Sequence, residues 1–140
     1  MSLTQLILLP LLAQVLLTAI VWLVMYQTRI AEMRKKNINA QALCNSADAA
    51  RLLKSVAAVS DNFSNQFEMP VLFYLAIITL YITRTADQLM LILAALYVVF
   101  RYLHSIIHIT YNQVMHRFYA YLISSLILWT MWVIIAYRIT

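Results

Sequence analysis

Four long apolar runs limit what this chain can fold into. They cover approximately residues 3–26, 62–83, 88–110 and 118–137, and each is long enough to cross a bilayer as a helix. The sequence is 64% hydrophobic and only 11% charged, whereas soluble domains are about half apolar and about a quarter charged. It therefore predicts an all-α membrane protein: a four-transmembrane-helix bundle in one domain, residues 1–140, with no soluble domain.

The glycine, proline and cysteine content also favours an all-α membrane protein. The chain has no glycine, two prolines and one cysteine, Cys44, which argues against a sheet-rich fold and rules out an intrachain disulfide. The first apolar run has neither a basic start nor a small-residue cleavage site, so we interpret it as a retained helix rather than a signal peptide.

The polar segment 27–60 sets the predicted orientation in the membrane. It carries six basic and two acidic residues, a net charge of +4, and cytoplasmic loops are enriched in lysine and arginine. We therefore predict that this loop is cytoplasmic and that both termini lie outside, as in a bacterial inner membrane protein. The net charge of +5 is explained by this topology and by contact with anionic membrane lipids, and it predicts no nucleic-acid partner.

Polar side chains recur at helical spacing near the cytoplasmic ends of three apolar runs. Because lipid offers them no hydrogen bonds, we expect them to point inward together. The three stripes are Asp61, Asn65 and Glu68, which begin one residue before the second run; Arg101, His104 and His108 in the third run; and Arg117, Tyr121 and Ser124, which begin one residue before the fourth run.

This constellation predicts a cytoplasm-facing pocket for a small polar anion, open sideways to lipid. Arg101 and Arg117 would bind carboxylates, since a guanidinium forms two parallel hydrogen bonds with them. Glu68 would receive a cationic group or position an arginine. A guanidinium beside a thiol would lower the thiol pKa and favour the thiolate.

Other interpretations of the same residues remain open at this stage. Glu68 and Arg101 could neutralise each other as a structural pair. His104 and His108, four residues apart, could hold a metal or haem, or relay protons. Asn62, Asn65 and Gln66 could bind neighbouring helices.

Two blocks of residues resemble the family of membrane-associated proteins in eicosanoid and glutathione metabolism (MAPEG). The first is Asn65, Glu68 and Pro70 at the start of the second run, and the second is Arg101, His104 and His108, followed by Arg117 and Tyr121. The resemblance covers almost the whole chain. It implies a homotrimer that binds glutathione as cosubstrate between neighbouring subunits, near the cytoplasmic face.

The resemblance also implies individual roles. Arg117 would be the catalytic arginine that activates the glutathione thiol, and Arg29 or Arg34 matches a first-helix arginine of the family. Two positions depart from the family pattern: Asp61 stands where glutathione-using members carry arginine, and His108 stands where tyrosine is usual. The implied glutathione-binding residues are Asn65, Glu68, Arg101, His104, His108 and Tyr121, with no metal.

The implied activity is that of a glutathione-dependent transferase or peroxidase, whose second substrate is a lipophilic electrophile from the bilayer. The alternative is a non-catalytic membrane protein that binds lipid or a partner and uses the polar cluster as structural support.

Overall fold

The computed structural model describes residues 2–139, apart from the side chains of Ser46 and Ala50. Within this range all regular structure is helical. Short 3₁₀ turns occur at Ala40–Leu43, Lys54–Val56 and Asn65–Phe67. The α-helices are α1 (Leu3–Leu6), α2 (Leu8–Lys35), α3 (Ser46–Leu52), α4 (Ala57–Ser64), α5 (Met69–Thr83), α6 (Gln88–Ile109) and α7 (Val114–Ile139).

These elements form four helical segments long and apolar enough to cross a membrane: span one (Leu3–Lys35), span two (Lys54–Thr83), span three (Gln88–Ile109) and span four (Val114–Ile139). The predicted all-α architecture with four long apolar helices is confirmed, and the chain is an integral multi-pass membrane protein.

Span one continues nine residues beyond the apolar run that ends at residue 26. The added residues include Gln27, Arg29, Ala31, Glu32 and Met33, which are good helix formers. Polarity therefore ends the apolar run there without ending the helix.

Both prolines coincide with helix breaks. A proline cannot donate to the carbonyl four residues before it, and its ring clashes with that carbonyl. Accordingly α1 ends at Leu6, four residues before Pro10. In span two, Glu68 leaves helical geometry (φ −98°, ψ −107°) two residues before Pro70, and α5 begins after it.

The buried face of span two is not the one that the polar spacing predicted. Asn62, Gln66 and Phe73 are buried, whereas Asp61 and Glu68 are exposed. The expectation that all the polar residues point into the bundle is therefore wrong for these two carboxylates. The break at Glu68 turns the second carboxylate outward, and the neighbouring amides take the inward positions because they find hydrogen-bond partners there.

The apolar core occupies the half of the bundle away from the basic loop. The rings of Phe73 and Tyr97 stack at its centre, with centroids 4.2 Å apart. Large apolar side chains also cover the outer faces of the spans, as expected where lipid is the surrounding solvent. The fully or almost fully buried core residues are Ile7, Phe73, Ala76, Ile77, Leu80, Met90, Ala94, Tyr97, Val98, Leu128, Met131 and Ile135.

An ion pair ties span four to the turn between spans two and three. Nη2 of Arg138 lies 2.6 Å from Oδ2 of Asp87, and Nη1 donates to the Thr85 carbonyl at 2.9 Å. Asp87 also caps span three, since its Oδ1 accepts from the Met90 amide at 2.9 Å. The C-terminal end of span four therefore lies beside this turn, at the opposite end of the bundle from the basic loop.

We expect Asp87→Asn to lower stability at neutral pH by about 0.5–1 kcal/mol, the usual range for an exposed pair. Asparagine keeps the cap, so the substitution isolates the charge. The pKa of Asp87 is lowered, chiefly because Arg138 donates to the carboxylate and also because the Met90 amide does. The contribution should therefore be complete above the unfolded pKa, near pH 4, and should be lost as pH falls through the lowered pKa.

The measurement is the difference in melting temperature between wild type and Asp87→Asn from pH 7 down to pH 2. The matched control is Asp48→Asn, whose carboxylate lies 3.8 Å from Arg51 and should contribute less. A difference that is the same at pH 2 and pH 7 would show that the charge of Asp87 is not responsible.

Candidate functional site

A buried network of side-chain amides joins spans one, two and three near the end of the bundle that carries the basic loop. Nε2 of Gln66 donates to Oγ of Ser105 at 3.2 Å, and Ser105 donates in turn to Oδ1 of Asn62 at 3.1 Å. Gln14 in span one donates to Oε1 of Gln66 at 3.1 Å. Asn62 and Gln66 thus make the helix–helix contacts left open as an alternative. The sequence analysis did not predict a role for Gln14. Its position as a glutamine inside an apolar run was the signal that could have indicated one.

Arg101 lies at the centre of the polar cluster and has no exposed surface. Its Nη2 donates to the Asn65 carbonyl at 2.8 Å, and its guanidinium carbon lies 5.7 Å from the centre of the Tyr121 ring. Nε and Nη1 make no hydrogen bond within residues 2–139.

No carboxylate within the described chain lies in ion-pair distance of Arg101. Glu68 is exposed at the break in span two and forms no direct ion pair with Arg101 in the described chain, although its charge acts on the guanidinium at longer range. A buried cation without a counter-ion is energetically expensive, so the cluster is suited to receive a negative group.

His104 bridges spans three and four. Its Nδ1 lies 3.1 Å from the Arg117 carbonyl, and since a carbonyl only accepts, Nδ1 carries the proton. Nε2 of His104 is buried without a hydrogen-bond partner. The ring centre lies 5.7 Å from that of Tyr121, so Tyr121 contacts both Arg101 and His104.

Arg117 is positioned by the end of span three. Its Nη1 lies 3.0 Å from Nε2 of His108 and 2.9 Å from Oδ1 of Asn112. Because arginine only donates, His108 accepts and is neutral in this arrangement. Asn112 follows α6 with φ at 47°, a left-handed conformation that asparagine tolerates well. The backbone N–H of Asn112 donates to the Ile107 carbonyl at 2.8 Å, a hydrogen bond that satisfies a carbonyl at the end of α6.

The structure thus brings together six of the seven predicted site residues. Asn65 contributes its carbonyl to the cluster, while the side chain of Glu68 makes no hydrogen bond or direct ion pair in the described chain. Asn112 is a further member that sequence reasoning missed, since its role depends on the turn geometry. The clustered residues are Asn65, Arg101, His104, His108, Arg117 and Tyr121.

Comparison with known protein families decides the relationship. The pattern that describes the MAPEG family matches residues 7–137. The chain belongs to the MAPEG family. The match includes all four spans except their outermost residues, and every member of the polar cluster. MAPEG is a family of glutathione-related membrane enzymes. A search of curated proteins and a search of solved structures each found no match.

Proposed function

We propose that this MAPEG protein is a membrane-embedded glutathione-dependent transferase or peroxidase acting on lipophilic electrophiles. The observation that carries the proposal is Arg101: a fully buried guanidinium with two unpaired N–H positions and no carboxylate partner in the described chain. Such a group matches a carboxylate of glutathione, because two parallel N–H groups bind both carboxylate oxygens.

The other clustered residues would complete the glutathione site. Nε2 of His104 is an unused buried acceptor, and Glu68 at the break in span two is available for the ammonium group of glutathione. Arg101 has no exposed surface, so a covering side chain must move for the ligand to reach it. Tyr121, half-buried above the guanidinium, is the side chain we assign to this movement.

Arg117 would act on the thiol. Only Nη1 is engaged, by His108 and Asn112, while the remaining N–H groups make no hydrogen bond within residues 2–139. A positive charge beside the thiol favours the thiolate, which is the nucleophile. In a transfer reaction the thiolate sulfur bonds to an electrophilic carbon and the leaving group, chloride for a chlorinated nitrobenzene, departs with the electron pair of the broken bond. In a peroxidase reaction it attacks a peroxide oxygen, releases an alcohol, and a second glutathione reduces the sulfenic acid to disulfide and water.

The proposal includes the assembly and the location. One four-helix domain over residues 1–140 would form a homotrimer, with glutathione between neighbouring subunits. The site lies at the end of the bundle that carries the basic loop, which would face the cytoplasm of a bacterial inner membrane, with both termini outside. Arg29 or Arg34 would supply the first-helix arginine.

The test is glutathione binding and turnover by purified protein. We expect a rise in melting temperature with glutathione, thiolate absorbance on adding glutathione, and turnover with a chlorinated nitrobenzene or a lipid hydroperoxide. S-methylglutathione, which has no thiol, should give the shift in melting temperature but no thiolate signal. Absence of both binding and turnover would reject the proposal.

The enclosure of Arg101 also favours a second candidate, a non-catalytic membrane protein that binds lipid or a partner. In this case Tyr121 and the Asn65 carbonyl cover the cation permanently, and the amide network serves only to hold the spans together. This candidate predicts no shift in melting temperature with glutathione.

A further inference from the structure

The turn between spans three and four is crossed by two side-chain hydrogen bonds at consecutive positions. The turn comprises residues 110–113, between the end of α6 and the start of α7. In the first bond, the Tyr111 hydroxyl lies 3.2 Å from Nδ1 of His116, and the two ring centres lie 5.8 Å apart, edge to face. In the second, Nη1 of Arg117 donates to Oδ1 of Asn112 at 2.9 Å. Each bond joins residues five positions apart, so both close the same turn.

The backbone of this turn leaves helical geometry twice. Thr110 has φ −103° and ψ −101°, and Asn112 is left-handed with φ at 47°. The backbone N–H of Asn112 donates to the Ile107 carbonyl at 2.8 Å, and that of Arg117 donates to the Gln113 carbonyl at 3.1 Å. The turn contains no proline, whose ring would fix the backbone. The conformation that brings Asn112 to Arg117 is therefore one that side-chain contacts across the turn can stabilise.

The bond between Tyr111 and His116 does not require one tautomer. Either the hydroxyl donates to an unprotonated Nδ1, or a protonated Nδ1 donates to the phenolic oxygen. Both residues are exposed, and neither side chain has another hydrogen-bond partner within residues 2–139. The pair reaches the polar cluster through the backbone, because Asn112 follows Tyr111 and Arg117 follows His116.

From this geometry we propose that Tyr111 and His116 are positioning residues for Arg117, on the basis of the function proposed above. Their hydrogen bond closes the turn and holds Asn112 where its side-chain oxygen accepts from the guanidinium. On the other side, Nδ1 of His104 binds the Arg117 carbonyl at 3.1 Å. The arginine that would act on the glutathione thiol is thus held by span three through its backbone and by the closed turn through its side chain.

Loss of the pair should lower the fraction of protein in which Arg117 is held. The net contribution of one hydrogen bond corresponds to about a two- to tenfold change in such an equilibrium. We therefore expect kcat to fall within that range, together with the thiolate absorbance of bound glutathione. KM for glutathione should stay the same, since Arg101 would still bind the carboxylate. A pair that only stabilises the fold would lower the melting temperature without this separation of kcat from KM.

The variants isolate the hydrogen bond. Tyr111→Phe removes only the hydroxyl, and His116→Ala removes the ring nitrogen. His116→Asn places an amide oxygen near the position of Nδ1 and should restore wild-type values. The double variant of Tyr111→Phe and His116→Ala should be no worse than the more affected single variant, because both changes remove the same bond. The matched control is Tyr119→Phe, which removes an exposed hydroxyl of span four outside the two cross-turn bonds and should change nothing.

A second measurement needs no glutathione. Nuclear magnetic resonance of full-length protein with isotope-labelled arginine reports the guanidinium of Arg117, whose signal is assigned by its loss in Arg117→Lys. In wild type this signal should be resolved from those of the exposed arginines. It should move toward them in Tyr111→Phe and in His116→Ala, and it should keep its wild-type position in His116→Asn.

Two results would overturn the assignment. An Arg117 signal that is unchanged in both single variants would show that the pair does not hold the guanidinium. A changed KM with an unchanged kcat would show that the pair acts on glutathione binding instead. If wild type neither binds nor turns over glutathione, the proposed function fails, and the resonance comparison still decides whether Tyr111 and His116 position Arg117.

Discussion

Arg117→Ala is expected to lower kcat/KM with glutathione by roughly 10²–10³-fold, the usual effect of removing one group that stabilises developing or reacting charge. The thiolate absorbance of bound glutathione should disappear, because in the proposed site Arg117 is the guanidinium that stabilises the thiolate. Glutathione should still raise the melting temperature, since Arg101 would still bind the carboxylate in the proposed site. The measurement is steady-state turnover together with ultraviolet titration of the bound thiol.

The matched control is Arg51→Ala, which removes an exposed arginine of the basic loop far from the cluster in sequence. It should leave turnover unchanged. Arg117→Lys keeps the charge but loses the fork that reaches His108 and Asn112, so an intermediate activity is expected. Wild-type turnover in Arg117→Ala would remove Arg117 from the mechanism while leaving the binding site in place.

Arg101→Met is expected to abolish the shift in melting temperature with glutathione without destabilising the protein. A buried charge that lacks a counter-ion often contributes nothing to stability, and an apolar side chain of similar size can be neutral or better by roughly 1–4 kcal/mol. Here the exchange removes two unpaired buried N–H positions, Nε and Nη1, at the loss of one hydrogen bond to Asn65. Thermal unfolding with and without glutathione measures both effects.

Glu68→Gln is the companion variant. Glu68 is exposed and unpaired in the described chain, so its stability should change by less than about 0.5 kcal/mol. A hidden pair with Arg101 predicts the opposite, a parallel loss of stability in both single variants and a smaller added loss in the double variant. That outcome would contradict the absence of a direct ion pair between these two side chains in the described chain.

The residues of span three show why part of the site could be predicted. Arg101, His104 and His108 are spaced by three and four in a run without a helix breaker. Helical periodicity alone therefore places them on one face, and the high cost of polar groups in lipid directs that face inward. All three are buried.

Span two shows why the rest could not. The same periodicity placed Asp61, Asn65 and Glu68 on an inward face. However, the chain leaves helical geometry at Glu68. The helical phase, which sets the residues that face inward, is not preserved across such a break. The inward positions go to Asn62 and Gln66 because Ser105 and Gln14 accept or donate there. Those partners are separated from Gln66 by 39 and 52 residues, beyond the reach of any local pattern.

Hydropathy by itself determined the membrane class, the all-α architecture and the four apolar helices, since a backbone in lipid must satisfy its own hydrogen bonds. The motif blocks alone pointed to the MAPEG family. Only the tertiary structure decided that Arg101 is enclosed without a counter-ion, that His108 and Asn112 hold Arg117, and that Tyr111 meets His116 across the turn. These facts depend on how helix breaks rotate each face and on which distant side chains meet, and both are properties of packing.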